Sequence, residues 1–320
     1  MKTQFATAAA ILALAGAAEA KATFTTFDVA SVWSINSGNT VTGKYNNGTG
    51  GESFVRTADG TITPFAVANA ISTDAMSIND GGAVAGNYDD SSDVEHGFVR
   101  TADGTITTFD VPGASNTFPL SINNGGKIAG YFMDSAGHQH GFLRAAADRI
   151  KKFDVPNALS TDAVDINRNG EIVGSYTDSG GHGHGFVRAP DGTIATFDVS
   201  GGTGTAPTGI NSKGVVTGSY FSNGTKNGFV RMPDGSITTF SETGCDLSPA
   251  GVNRKGEIAG VCYNLVNRKF DLGFFRRANG SIRTFHVPGT RTGATYPTGI
   301  NDSGAIAGTT YSLGGFLRIP

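Results

Sequence analysis

Residues Thr161–Val199 read TDAVDIN, RNG, EIVGSY, TDSGGHG, HGFVR, APDG, TIATFDV. Four short runs rich in β-branched and aromatic residues alternate with Asn, Asp and Gly clusters. That pattern predicts four antiparallel strands, A to D in chain order, joined by tight turns. The unit recurs along the chain. Its strand C phenylalanine returns at Phe54, Phe98, Phe142, Phe186, Phe229, Phe274 and Phe316, at spacings of 42 to 45 residues. The asparagine of its IN word returns at Asn36, Asn79, Asn123, Asn167, Asn211, Asn253 and Asn301. Four strands in about 44 residues, repeated seven times, predict an all-β, seven-bladed β-propeller. One blade cannot bury its own faces, so the blades must stack around an axis.

The word ATFTTFDVA at Ala22–Ala30 matches the ends of later units: TITTFDV (Thr105–Val111), TIATFDV (Thr193–Val199) and SIRTFHV (Ser281–Val287). The strand D phenylalanines are Phe27, Phe65, Phe109, Phe153, Phe197, Phe240 and Phe285. The first precedes every A strand, and the last unit stops after strand C. Thr23–Val29 is therefore expected to be the fourth strand of the last blade, paired with Gly315–Arg318. An open ring would expose a strand edge and two blade faces.

Composition agrees with this architecture. Of 320 residues, 47 are glycine and 16% are charged, which suits short strands and turns and argues against helical bundles. A net charge of −3 and a pI near 6.1 give no general attraction to nucleic acid or anionic lipid. Lys2, the apolar run Ala6–Ala18 and the small-x-small site Ala18-Glu19-Ala20 predict a signal peptide over residues 1–20. Residues 21–320 are then one exported, monomeric propeller domain, periplasmic or extracellular. The leader is too short to span a bilayer, and no membrane insertion is expected. Cys245 and Cys262 are the only cysteines and flank strands A and B of blade six. An oxidising compartment predicts a disulfide between them.

Words such as TGINDSGAIAG (Thr298–Gly308) and the His-Gly-Phe within Glu95–Arg100 resemble the HAF-type extracellular repeat proteins of bacteria. The resemblance covers essentially the whole mature chain. That family typically has His-Ala-Phe where this chain has His-Gly-Phe or Asn-Gly-Phe. It implies an exported repeat protein and supplies no catalytic residues.

Three sets of recurring residues invite chemistry. Arg56, Arg100, Arg144, Arg188, Arg231, Arg276 and Arg318 follow the strand C phenylalanines by two residues. Sevenfold recurrence favours a structural role between blades over a basic ring for an acidic ligand. The asparagines of the IN words are expected to cap the A–B hairpins. His96, His140 and His184 open strand C in blades two to four, and His138 and His182 precede two of them by two residues. His-x-His on a strand suits a transition metal, but equivalent strands of adjacent blades lie too far apart to pool ligands. If Asp103-Gly104 is a two-residue turn, Asp110 lies opposite Gly97, and His96 and Asp110 point to opposite faces. The expectation is thus a His–Asp hydrogen bond between neighbouring blades, with no metal or cofactor. No nucleophile elbow, P-loop, zincin helix or Cys-x-x-Cys pattern occurs, so no catalytic residue is assigned.

Trp33, the only tryptophan, holds the position of Met76, Leu120 and Val164, and Phe118 and Tyr296 lie just before inner strands. These three are the expected ligand-binding residues at the channel mouth on the face of the D–A loops, where an aromatic ring can stack on a sugar. A plain core role is the alternative for each. The expected function is non-enzymatic binding of a glycan, peptide or surface protein at that face. The alternative is a propeller hydrolase or lyase at the same mouth, for which strand A offers only Asp162 and Asp165, with Asp74 nearby.

Overall fold

A computed structural model of the chain describes residues 22–45, 48, 51–145, 148–265, 270–290 and 294–320. The signal peptide expected over residues 1–20 lies outside the described residues. Seven antiparallel four-stranded sheets form the seven blades, and the described residues contain no helix. In six blades the strands run A to D in sequence order. In the seventh the order is Thr23–Phe27, Gly314–Ile319, Ile306–Thr310, Thr295–Ile300. Thr26 pairs with Phe316 and Phe27 with Gly315, so the first strand closes the ring as the unit count predicts.

The same aromatic device joins every pair of blades. The seven strand C phenylalanines are fully buried. Each meets the strand D phenylalanine of the preceding blade, with ring centroids 5.9–6.4 Å apart. The arginine two residues on sets its guanidinium 4.6–5.3 Å above that same strand D ring. The arginines are therefore structural, and their partner is an aromatic face. Such cation–π contacts are each worth roughly 0.5–2 kcal/mol.

The asparagines do more than cap their hairpins. Asn123 Oδ1 accepts the N–H groups of Gly125 and Lys127, both at 3.0 Å. Its Nδ2 donates to the carbonyl of Asn167 in the next blade at 2.9 Å. The same inter-blade bond recurs at all seven positions, at 2.8–3.1 Å, and Asn301 donating to Asn36 completes the circle.

The C–D turn corrects one expectation. Gly104 N–H donates to Thr101 O and Thr101 N–H to Thr105 O, and Gly104 has φ +96°. The turn is centred on Ala102-Asp103, with Gly104 added as a left-handed bulge. One extra residue shifts the pairing by one, to Gly97↔Phe109, and a one-residue slip moves side chains to the other face. Asp110 thus lies opposite His96, and the His–Asp bond forms within a blade instead of between blades. Gly97 also accounts for His-Gly-Phe: a Cβ there would stand 2.6 Å from the Phe109 ring.

Cys245 and Cys262 form a disulfide across strands A and B of blade six (Cys245–Val252 and Ile258–Asn264), with Cα atoms 5.1 Å apart.

Candidate functional site

Each inner strand carries a β-bulge, and the bulged residue is the one aimed at the axis. Pairing skips Leu120 between Pro119 and Ser121, Val164 between Ala163 and Asp165, and Trp33 between Val32 and Ser34. It likewise skips Thr208, Ala250 and Thr298. With Met76, these residues line a narrow central channel of about 230 Å³. Bulges re-aim side chains in this way, so Trp33 is a channel-wall residue.

One residue further on, the wall is clasped by polar groups. Ser34, Ser77 and Ser121 accept the N–H of Ile78, Ile122 and Ile166 in the next blade. Asp165 does the same for Ile210 at 2.9 Å and also accepts from Ser121 Oγ at 2.6 Å. Burial raises its carboxyl pKa despite these bonds. Asp165 is therefore a clasp between blades.

The face bearing the D–A and B–C loops divides into two halves. In blades five to seven the residue three after the strand B glycine is an exposed aromatic: Phe221, Tyr263 and Tyr311. Beside them, at the seam of blades seven and one, lies a groove of about 770 Å³ walled by Asp28–Ser31, Tyr296 and Thr309–Gly314. Tyr311 is 83% exposed. Its ring meets Tyr296 nearly at right angles, centroids 5.4 Å apart. Tyr296 Oη donates to Asp271 Oδ2 at 3.0 Å. Burial, with the hydrogen bonds to Tyr311 and Asp271, raises the Tyr296 pKa.

In blades two to four the equivalent half is acidic and histidine-rich. His96 Nδ1 bonds Asp110 at 2.9 Å, His140 Nδ1 bonds Asp154 at 3.0 Å, and His184 Nδ1 bonds Asp198 at 2.9 Å. Each imidazole stacks on a strand B aromatic: Tyr88, Phe132 and Tyr176. Backbone N–H groups of the turns hold the Asp134 and Asp178 carboxyls down to about 2. Glu95 is pushed up to about 7 by burial, against a hydrogen bond from Asn87 that lowers it, with the nearby carboxylates of Asp89 and Asp74 raising it further. Asp74 itself pairs with Lys44 at 2.6 Å. Burial also raises the pKa of Asp162, whose Oδ1 has no hydrogen-bond partner.

The three sequence-predicted site residues occupy three different surroundings. Tyr296 lines the groove, Trp33 lines the channel, and Phe118 stacks on Tyr131 at 4.6 Å. Sequence reasoning missed Tyr311, Asp271 and Glu95. Aligning the seven units column by column would have exposed Tyr311, because blades two to four carry Asp89, Met133 and Thr177 there.

No protein-family model and no curated protein matches this chain. Its likeness is to solved propeller structures. A catalytically inactive virginiamycin B lyase from Staphylococcus aureus, solved with quinupristin, superposes with a TM-score of 0.65 at 12% identity, over 94% of this chain and 100% of that one. The β-propeller domain of the Trilobed protease from Pyrococcus furiosus, of open velcro topology, gives 0.66 at 9% identity over 91% and 96%. TolB from Acinetobacter baumannii gives 0.53 at 13% identity over 80% and 63%. At these identities the likeness is one of fold, and a propeller fold hosts many functions. Among the described residues no helix is long and apolar enough to cross a membrane.

Proposed function

We propose that this chain is an exported, HAF-like propeller that binds a neutral glycan in the groove between blades seven and one. The observation that carries the reading is Tyr311, 83% exposed yet held upright against a Tyr296 ring anchored on Asp271. An exposed ring fixed in this way presents a flat apolar face, which complements the C–H face of a sugar. Ser31 and Ser312 line the same groove, where a sugar needs hydrogen-bond partners and little net charge. Oxidation of Cys245 and Cys262 is compatible with export.

An array of neutral oligosaccharides, probed with wild type and Tyr311→Ala, tests this. The ring is too exposed for its loss to unfold the protein, and the variant is expected to bind about two- to tenfold more weakly, one ring's stacking free energy. Equal binding by both proteins refutes the groove. The alternative is a propeller hydrolase or lyase at the same mouth, where burial pushes the Glu95 carboxyl up to about 7, in the range of a general acid or base. Turnover of an ester, lactone or polysaccharide that is lost in Glu95→Gln would replace the binding reading.

A further inference from the structure

The corrected C–D register places unused donor sets on the histidine-rich half. Asp134 Oδ1 accepts the N–H groups of Ala136 at 2.8 Å and His138 at 2.9 Å, which fixes the carboxylate and turns Oδ2 away from the backbone. His140 Nδ1 lies 3.0 Å from Asp154. A carboxylate can only accept there, so Nδ1 is the donor of that bond, and Nε2 is the ring nitrogen open to a metal in the neutral imidazole. That Nε2 lies 3.5 Å from Asp134 Oδ2, and His138 Nδ1 lies 3.4 Å from the same oxygen.

Blade four carries the same three residue types, with the outer ring against the other carboxylate oxygen. Asp178 Oδ1 accepts from Gly180 at 2.8 Å and His182 at 2.9 Å. His184 Nδ1 is held by Asp198 at 2.9 Å, and its Nε2 lies 3.3 Å from Asp178 Oδ2. His182 Nδ1 lies 3.4 Å from Asp178 Oδ1.

We propose that these two loops each bind one divalent transition ion of the zinc or nickel kind. The ligands are His138, His140 and Asp134 in blade three, and His182, His184 and Asp178 in blade four. Contacts of 3.3–3.5 Å are long for hydrogen bonds. Bonds of about 2.1 Å at a tetrahedral ion put neighbouring donor atoms roughly 3.4 Å apart. Two of the three donors are already oriented, the carboxylate by the backbone and the inner imidazole by an outer carboxylate, the arrangement that steadies metal-bound histidines. As they stand, no three such groups among the described residues converge on one ion position. The ring that must turn is the outer one, and His138 and His182 are 63% and 73% exposed. In blade four the loop opens on a cavity of about 570 Å³ walled by Gly181–His184 and Asp198–Gly204, which leaves room for water at the fourth position. Blade two is the internal control: Val94 stands where blades three and four have the outer histidine, so its Asp90–His96–Asp110 set lacks the third ligand.

Calorimetric titration of zinc chloride, then nickel chloride, into tag-free protein tests the proposal. Wild type and His96→Ala are expected to take up two ions per chain, His138→Ala or His182→Ala one, and the double variant none. Zinc is expected to raise the melting temperature of wild type and leave that of the double variant unmoved. Metal-free melts matching wild type verify that the double variant is folded. No saturable uptake by wild type, or uptake unchanged in the double variant, overturns the proposal.

Discussion

Replacing Asn123 with alanine probes what holds the blades in a ring. The substitution removes two hairpin bonds, from the N–H groups of Gly125 and Lys127, and one bond to the Asn167 carbonyl. At about 1 kcal/mol for each lost bond, with a further penalty where the inter-blade carbonyl stays dry, the expected cost is about 3–4 kcal/mol. For a chain of this size that lowers the melting temperature by about 5 °C. Asn123→Asp separates the two roles. It keeps the acceptor for the hairpin and loses the donor, setting an oxygen against the Asn167 carbonyl in place of Nδ2. Asn123→Asp is therefore also expected to be destabilised, by at least about 1 kcal/mol. The assay is thermal and urea unfolding followed by far-UV circular dichroism. An aspartate variant that melts like wild type would show that the asparagines only cap their hairpins, and the ring of inter-blade bonds would carry no stability.

Two further expectations concern blades six and two. Cys245 and Cys262 lie 17 residues apart, so reducing the disulfide, or replacing both cysteines with serine, is expected to cost about 3 kcal/mol; an unchanged urea midpoint would refute that. Burial disfavours the charged His96 ring, yet hydrogen bonds and charge from Asp110 and Asp90 outweigh it and raise its pKa above the ordinary 6.5. A pKa raised by folding gives stability that is complete below the unfolded value and is lost as pH rises through the folded one. The stability gap between wild type and His96→Gln should therefore be widest below about pH 6.5 and narrow above it; a gap that widens with rising pH would contradict the Asp–His–Asp pairing.

The ring and its closure were legible because they rest on counting. Seven strand C phenylalanines and a strand D word ahead of the first unit leave one arrangement in which every blade has four strands. The disulfide was legible for a similar reason, since two cysteines eight and nine residues either side of Asn253 must meet across one hairpin. Register was harder. Asp103-Gly104 is compatible with a two-residue turn and with a longer bulged one, and that single residue decides whether His96 faces Asp110. The asparagine ring was hidden because its bonds join residues 42 to 48 apart, or 265 apart at closure, and only the geometry around the axis brings them together. Trp33 stood out by its residue type, but the bulge that turns it into the channel has no local sequence signal. The groove was half legible. Tyr296 was visible as an irregularity, whereas Tyr311 appears only when the strand B columns of blades five to seven are set against those of blades two to four.

Binding at the aromatic seam is tested by amide chemical-shift mapping of isotope-labelled protein with a neutral oligosaccharide selected on the array. Perturbed amides are expected at Asp28–Ser31, Tyr296 and Thr309–Gly314, with blades two to four silent. Perturbations confined to the Asp74, Glu95 and Asp162 side of the mouth, with the seam silent, would contradict it.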